Sequence, residues 1–411
     1  MALRCIRNVC EDPKRSDAQK VQLILHIVDT IRDFQTLVDS RPRADEAALA
    51  EEFRLERNLR EFSPQEQAAR TAIANGVRAV LATRRADGGW GFVEERRLDP
   101  LVWNLLSAVS PSPTERSLTW DTALAVLALQ DVTRFGSAPT NEDRRSVADA
   151  LNDGLRWLIA AQNATDGGWS ELGGSTPAVP SHCIETGVTL WALGPAIVAA
   201  PTTGGVVPDA AAINRGLAFI DRLQRQDGGV ASREVDTESD VKPTAMSAII
   251  NYVFRPNASD VAARNIDWLL ANQTRDGHWG RTPAGHFINP AFYAMSALLL
   301  HYERKHDAAV LPGIRLGVSW YQNQVGFVEK GGTRGWAWST IENTASAVAA
   351  LLNSDEPELS TSIQGGVDWL LQQESKGWGA ETPIAMIALT RYLYPNSRML
   401  QRTRQFYTGQ D

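Results

Sequence analysis

The chain has 411 residues, of which 43% are hydrophobic and 22% charged, with a formal net charge of -7. That balance belongs to a soluble globular protein and carries no basic footprint for nucleic acid. Three cysteines exclude a disulfide framework and suit a reducing compartment, so a cytoplasmic protein is expected.

The first twenty residues lack the apolar core of a secretion signal, and no apolar run reaches membrane-spanning length, so no transmembrane segment is expected. "AQKVQLILHIVDTIRDFQTLV" and "DEAALAEEFRLERNLREF" read as two helices of an N-terminal extension over residues 1–69. From residue 70 to 411 one phrase recurs at irregular spacing. "RRADGGWGF" holds Trp90, "QNATDGGWSE" holds Trp169, and "QRQDGGVAS" puts Val230 in the same place. "QTRDGHWGR", "GGTRGWAWS" and "QQESKGWGAE" then carry Trp279, Trp336 and Trp378.

Each phrase follows an amphipathic run such as "GLRWLIAAQ" or "NIDWLLANQ", whose apolar residues recur at helical steps. It precedes a run apolar on nearly every face, such as "WDTALAVLAL", "ETGVTLWAL" or "KPTAMSAIINYV". A helix apolar all round is buried on all sides. About six units of outer helix, Gly-Trp turn and inner helix close most economically into a ring. The expected fold is an all-α α/α toroid with inner and outer helix rings and an N-terminal helical extension. The glycines suit a left-handed backbone, and the tryptophans suit bracing of turns.

The phrase resembles the QW repeat of squalene–hopene and other class II terpene cyclases, whose toroid is shared by protein prenyltransferase β subunits. "LTWDTALAVLAL" is similar to a cyclase segment, and "ESDVKPTA" falls where those cyclases carry Asp-x-Asp-Asp-Thr-Ala. The resemblance implies that the middle Asp is the general acid. Here Asp240 matches the first Asp, but the acid falls on Lys242 and the last Asp on Pro243. An ammonium is a poor acid for carbon. Asp240, Asp236, Glu238 and Asp121 are the candidate replacements, with Glu185, Glu342 and Glu381 at other inner-helix starts. Carboxylates there equally suit helix capping.

Trp120, Trp191, Tyr252, Phe254, Phe292, Tyr293 and Tyr302 are the inner-helix aromatics that could face a ligand. Trp120, Glu185, Lys242, Tyr252, Phe292 and Tyr293 form the expected ligand-binding set. The prenyltransferase resemblance would imply zinc, but Cys183, His182 and the other histidines show no familiar ligand spacing. No metal or other cofactor is expected.

Two readings follow. In the favoured one the toroid is catalytically degenerate and binds a partner protein, peptide or hydrophobic ligand through its funnel or N-terminal helices. The class II cyclases generally pair two helical domains, and this shorter chain fits that reading. The alternative is an unorthodox terpene cyclase that protonates an isoprenoid alkene through Asp240 or a neighbouring carboxylate.

Overall fold

Helix α1 (Pro64–Ala82) starts at a capping box: the Ser63 hydroxyl accepts from the Glu66 N–H, and the Glu66 carboxylate accepts from the Ser63 N–H at 2.8 Å. Pro64 sits in the first turn, where its missing N–H costs nothing. This helix belongs to the repeat, so the toroid begins six residues before the boundary expected at residue 70. The computed structural model describes residues 62–91, 117–135, 141–173, 179–203, 206, 210–255, 259–280, 288–324, 326–330, 333–337, 340–354, 360–375 and 377–394. The two N-terminal helices expected from sequence lie outside these residues. The toroid falls within one compact unit, Ser63–Thr133 with Ser137–Asp411.

After α1, inner and outer helices alternate as α2 (Thr119–Phe135), α3 (Asn141–Ala160), α4 (Cys183–Thr203), α5 (Ala210–Arg222), α6 (Val241–Phe254) and α7 (Ser259–Ala271). The series continues with α8 (Ile288–Lys305), α9 (Leu311–Gln324), α10 (Ile341–Ser354), α11 (Ser360–Glu374) and α12 (Thr382–Leu393). The even-numbered helices are the inner ring: α6, for instance, is buried at every position except Lys242 and Phe254. The odd-numbered helices are the outer ring and bury one stripe, as α5 does with Ala212, Ile213, Gly216, Leu217, Phe219 and Ile220. Six hairpins of outer and inner helix are present among the described residues.

The ring closes where α1 packs on α11 and α12. The Asn75 amide donates to Glu374 at 3.0 Å and the Tyr392 hydroxyl to Gln65 at 2.8 Å, while Gln65 also donates to Asp368. Gly76 is needed for this approach: a Cβ there would stand 2.7 Å from Met386 Cγ.

The repeated phrase is a set of defined bonds. The indole N–H groups of Trp90, Trp169, Trp279 and Trp378 donate to the carbonyls of Val80, Leu158, Leu269 and Leu370, at 2.7, 2.7, 2.8 and 3.0 Å. Each therefore takes up a carbonyl near the end of the preceding outer helix, where helices leave acceptors unpaired. The phrase glutamines bridge forward: Gln162 donates to Gly167 and to Ala212 of α5, and Gln273 to Gly277 and to Gly313 of α9. Gly88, Gly167, Gly228 and Gly277 hold φ of 90°, 79°, 90° and 102°, a region closed to most side chains.

One phrase departs from this pattern. Between α9 and α10 the chain forms an antiparallel hairpin, β1 (Gly326–Lys330) and β2 (Thr333–Ala337), with Trp336 opposite Phe327. The expected Gly-Trp turn at "GGTRGWAWS" is thus a strand pair, and β2 packs against α11.

Candidate functional site at the centre of the ring

Each inner helix starts on a fixed frame. In hairpins 1, 2 and 3 the backbone N–H of the phrase residue donates to a threonine hydroxyl at 2.9 Å: Trp90 to Thr122, Trp169 to Thr186 and Val230 to Thr244. Its carbonyl accepts from the residue four positions before that threonine, namely Leu118, His182 and Asp240. The phrase aspartates Asp87, Asp166 and Asp227 accept from the hydroxyls of Ser117, Ser181 and Ser239, five positions before it. Four positions after it, the inner helix meets an outer-helix glycine. A Cβ on Gly154 would lie 2.7 Å from Val126 Cγ2, and one on Gly216 would lie 3.1 Å from Leu190 Cδ2. The same contact, Met295 to Gly317 and Met386 to Gly76, puts Ala291 and Thr382 in the threonine position of α8 and α12. Thr344 takes it in α10, its N–H bonded to the Thr340 carbonyl four residues before at 2.9 Å, as those of Thr122, Thr186 and Thr244 are to Leu118, His182 and Asp240.

This register converges on one cavity. Two positions after the threonine stand Leu124, Val188, Met246, Tyr293, Ser346 and Ile384, one from each inner helix, and all six line the cavity. It spans about 570 Å³ of empty space counting its open mouth. Trp120, Trp191, Phe292 and Tyr293 supply four aromatic rings to a lining otherwise mainly aliphatic. Arg391, buried on α12, is the charged residue of the lining.

The expected site residues divide. Trp120, Phe292 and Tyr293 line the cavity. Tyr252 does not: it is buried in hydrogen-bond contact with His301, whose Nε2 lies 3.2 Å from Asp307, so it joins α6 to α8 as packing. Phe254 packs against Gly194 and Tyr302 is exposed, neither being among the cavity residues.

Lys242 is half-buried and takes the helical position of Trp120, two before the threonine, one turn above the cavity lining. Asp240 is exposed and stands at the N-cap of α6 without a side-chain cap bond. Glu238 is exposed, and half-buried Asp236 accepts the Arg225 guanidinium on its backbone carbonyl at 2.6 Å. Asp121 is half-buried in the first turn of α2.

Glu185 pairs with His182 Nδ1 at 2.7 Å. Burial opposes both charges, but their attraction and hydrogen bond outweigh it. The imidazole is raised above its ordinary value and the Glu185 carboxyl is lowered, so both are held charged. Burial, and then the charges of Glu342 and Glu185, push the Tyr293 hydroxyl well up, while Arg391 pulls the other way. Carboxylates from α4 and α10 therefore both act on one phenol of the cavity wall. Cys183 is buried and its thiol, raised by burial, faces the Pro243 carbonyl at 3.7 Å.

Among the described residues no three His, Cys, Asp or Glu side chains are grouped to hold a metal ion, and no helix is long and apolar enough to cross a membrane. Sequence reading missed Arg391 as a wall residue; its place nine positions after Thr382 was the available signal, since that face repeats along the helix.

Comparison with known proteins fixes the fold. No protein-family model matches the chain. Drimenyl diphosphate synthase of Streptomyces showdoensis is 32% identical over 203 residues, a match that covers 43% of this chain and 34% of the relative, so about a third of its length. The type II terpene cyclase MstE of Scytonema, solved with merosterolic acid A as product, aligns with a TM-score of 0.54 at 16% identity, covering 82% of this chain and 99% of that one. A family 76 glycoside hydrolase, a mannosidase of Bacteroides thetaiotaomicron, aligns equally well, with a TM-score of 0.56 at 11% identity over 83% of this chain and 100% of that one. The chain has a terpene cyclase-like α/α toroid fold.

Proposed function

We propose that this toroid is a terpene cyclase that binds an isoprenoid in its central cavity and starts cyclisation by protonating an alkene. The observation that carries the reading is the cavity itself: six inner helices contribute an apolar wall with four aromatic rings, beneath a rim that bears carboxylates. Ring faces stabilise a passing carbocation without offering it a base, and exclusion of water protects it from capture. The limited likeness to drimenyl diphosphate synthase supports the same chemistry over a glycosidase or a pure binding module, while the fold, common to MstE and the mannosidase, does not separate them.

In the proposed reaction a rim carboxylic acid gives its proton to one alkene carbon. The π pair forms the C–H bond and leaves a cation on the more substituted carbon, which the next alkene attacks to close a C–C bond. The last cation loses a proton, so the product is an isomer of the substrate and no redox partner is used. Lys242 fills the acid position of the third hairpin, Asp240 and Glu238 are exposed, and Asp236 stands eight residues before Thr244, so the acid is assigned to a carboxylate of another hairpin.

The test is incubation with farnesyl diphosphate, geranylgeranyl diphosphate and squalene, with extracts read by mass spectrometry. A cyclic isomer from one of them is expected. Retention of all three unchanged, with no saturable binding of any, would reject the proposal.

A further inference from the structure

We infer that Glu342, in the fifth hairpin, occupies the proton-donor position that Lys242 fills in the third; this rests on the cyclase reading above. The inference comes from register. The motif frame Asp-x-Asp-Asp-Thr-Ala puts its acid two residues before a threonine, and the Val230–Thr244 bond shows that Thr244 is the threonine of that frame. Two residues before each inner-helix threonine position stand Trp120, Ile184, Lys242, Asn289, Glu342 and Ala380. Only one of the six is an acid.

The stretch Thr340 to Ala345, "TIENTA", keeps the spacing of the motif with Glu in the acid position, Asn next to it, and the Thr-Ala end intact. "ESDVKPTA" keeps the same Thr-Ala end around a Lys and a Pro.

Geometry supports the assignment independently. Trp120, at the same position of α2, lines the cavity, so this position faces the funnel at its mouth. In α10 the residue one turn further on, Ser346, is a wall residue, and so are Ala345 and Ala349. A carboxyl at position 342 therefore overlooks the cavity from the rim. Glu342 is half-buried, whereas Asp240 is exposed.

Glu185 is a weaker choice on position. It stands one residue before its threonine, where the motif carries its last Asp, and it is engaged at 2.7 Å by His182. Its role is to set the charge of the rim.

The test compares wild type, Glu342→Gln, Glu342→Asp, Glu185→Gln and Asp240→Asn in D2O on the substrate that wild type converts. Thermal melts check that each variant folds. Glu342→Gln is expected to lower turnover at least a thousandfold with substrate binding retained. Glu342→Asp, which keeps the acid one methylene short, should recover a measurable part. Wild-type product should carry one solvent-derived deuteron. Product from a folded Glu342→Gln variant at near wild-type rate, or loss in Glu185→Gln or Asp240→Asn alone, would overturn the assignment and leave the cyclase reading standing. Failure of wild type to convert any isoprenoid would instead reject that reading, and this assignment with it.

Discussion

The backbone N–H of Val230 donates to the hydroxyl of Thr244 at 2.9 Å, and that hydroxyl donates in turn to the Asp240 carbonyl. Val230 stands where other hairpins carry Trp, so this bond ties the turn to its inner helix without an indole. Thr244, the most motif-like residue of "ESDVKPTA", is therefore a structural brace, as Thr122 and Thr186 are in their own hairpins. Thr244→Val keeps the shape and deletes the hydroxyl, leaving a buried N–H unpaired. The expected cost is about 1–3 kcal/mol, read as a lowered denaturant midpoint with unchanged slope. A midpoint equal to wild type would contradict the brace.

Most of the fold was legible because the phrase repeats the bonds that build it. Gln, Asp, Gly and Trp each have one backbone partner or one backbone conformation to satisfy, so their spacing marks each turn. The strand pair that holds Trp336 was not legible, because a Gly-rich stretch with one Trp suits a tight turn and a hairpin alike. The cavity wall was legible only in part. Trp120, Phe292 and Tyr293 face inward, but Tyr252 lies on the opposite side of α6, and a helix buried all round shows no stripe to tell the two faces apart. Glu342 was visible as a helix-start carboxylate, and its place in the motif frame emerged only once Thr244 was fixed as the reference.

Asp227 accepts from the Gly229 N–H, the Ser239 hydroxyl and the Trp268 indole. Burial works against its charge, but these donors together outweigh it and lower its carboxyl below the ordinary 3.8. A depressed carboxyl stabilises the fold above that value, and the contribution fades as pH falls through the folded-state value. Asp227→Ala should cost about 1 kcal/mol at neutral pH and should flatten the acid limb of the stability curve. An unchanged acid limb would count against this cradle.

The His182–Glu185 pair has a different pH window. The raised imidazole stabilises fully below its ordinary 6.5 and loses that contribution as pH rises through the folded-state value. The lowered carboxyl stabilises fully above its ordinary 4.5 and loses it as pH falls further. Both contributions are therefore complete between about pH 4.5 and 6.5. His182→Gln should destabilise most in that interval, by about 1–3 kcal/mol, with a smaller difference at pH 8. A difference independent of pH would show that the pair is not charged.

Gly187 lies where α4 and α6 touch, and a Cβ there would stand 2.1 Å from Met246 Cγ. Met246 is a cavity residue, so Gly187→Ala should push its side chain toward the funnel. The expected result is a loss of about 1–3 kcal/mol together with weaker isoprenoid binding. Wild-type affinity in the folded variant would mean that Met246 can yield elsewhere.

Filling the cavity tests its use without touching an acid. Ala349 is buried and lines the wall from α10, so Ala349→Phe should occupy the space a substrate needs. Binding of an isoprenoid diphosphate, followed by quenching of intrinsic tryptophan fluorescence, should weaken at least tenfold. Equal affinity would place the ligand elsewhere.

The central claim is best tested by one turnover experiment in D2O with wild-type protein and geranylgeranyl diphosphate, farnesyl diphosphate and squalene. The account expects a cyclic isomer from at least one of them, carrying one deuteron from solvent at the protonated carbon. A product without deuterium would contradict protonation as the first step, and unchanged substrate in every case would contradict the cyclase reading.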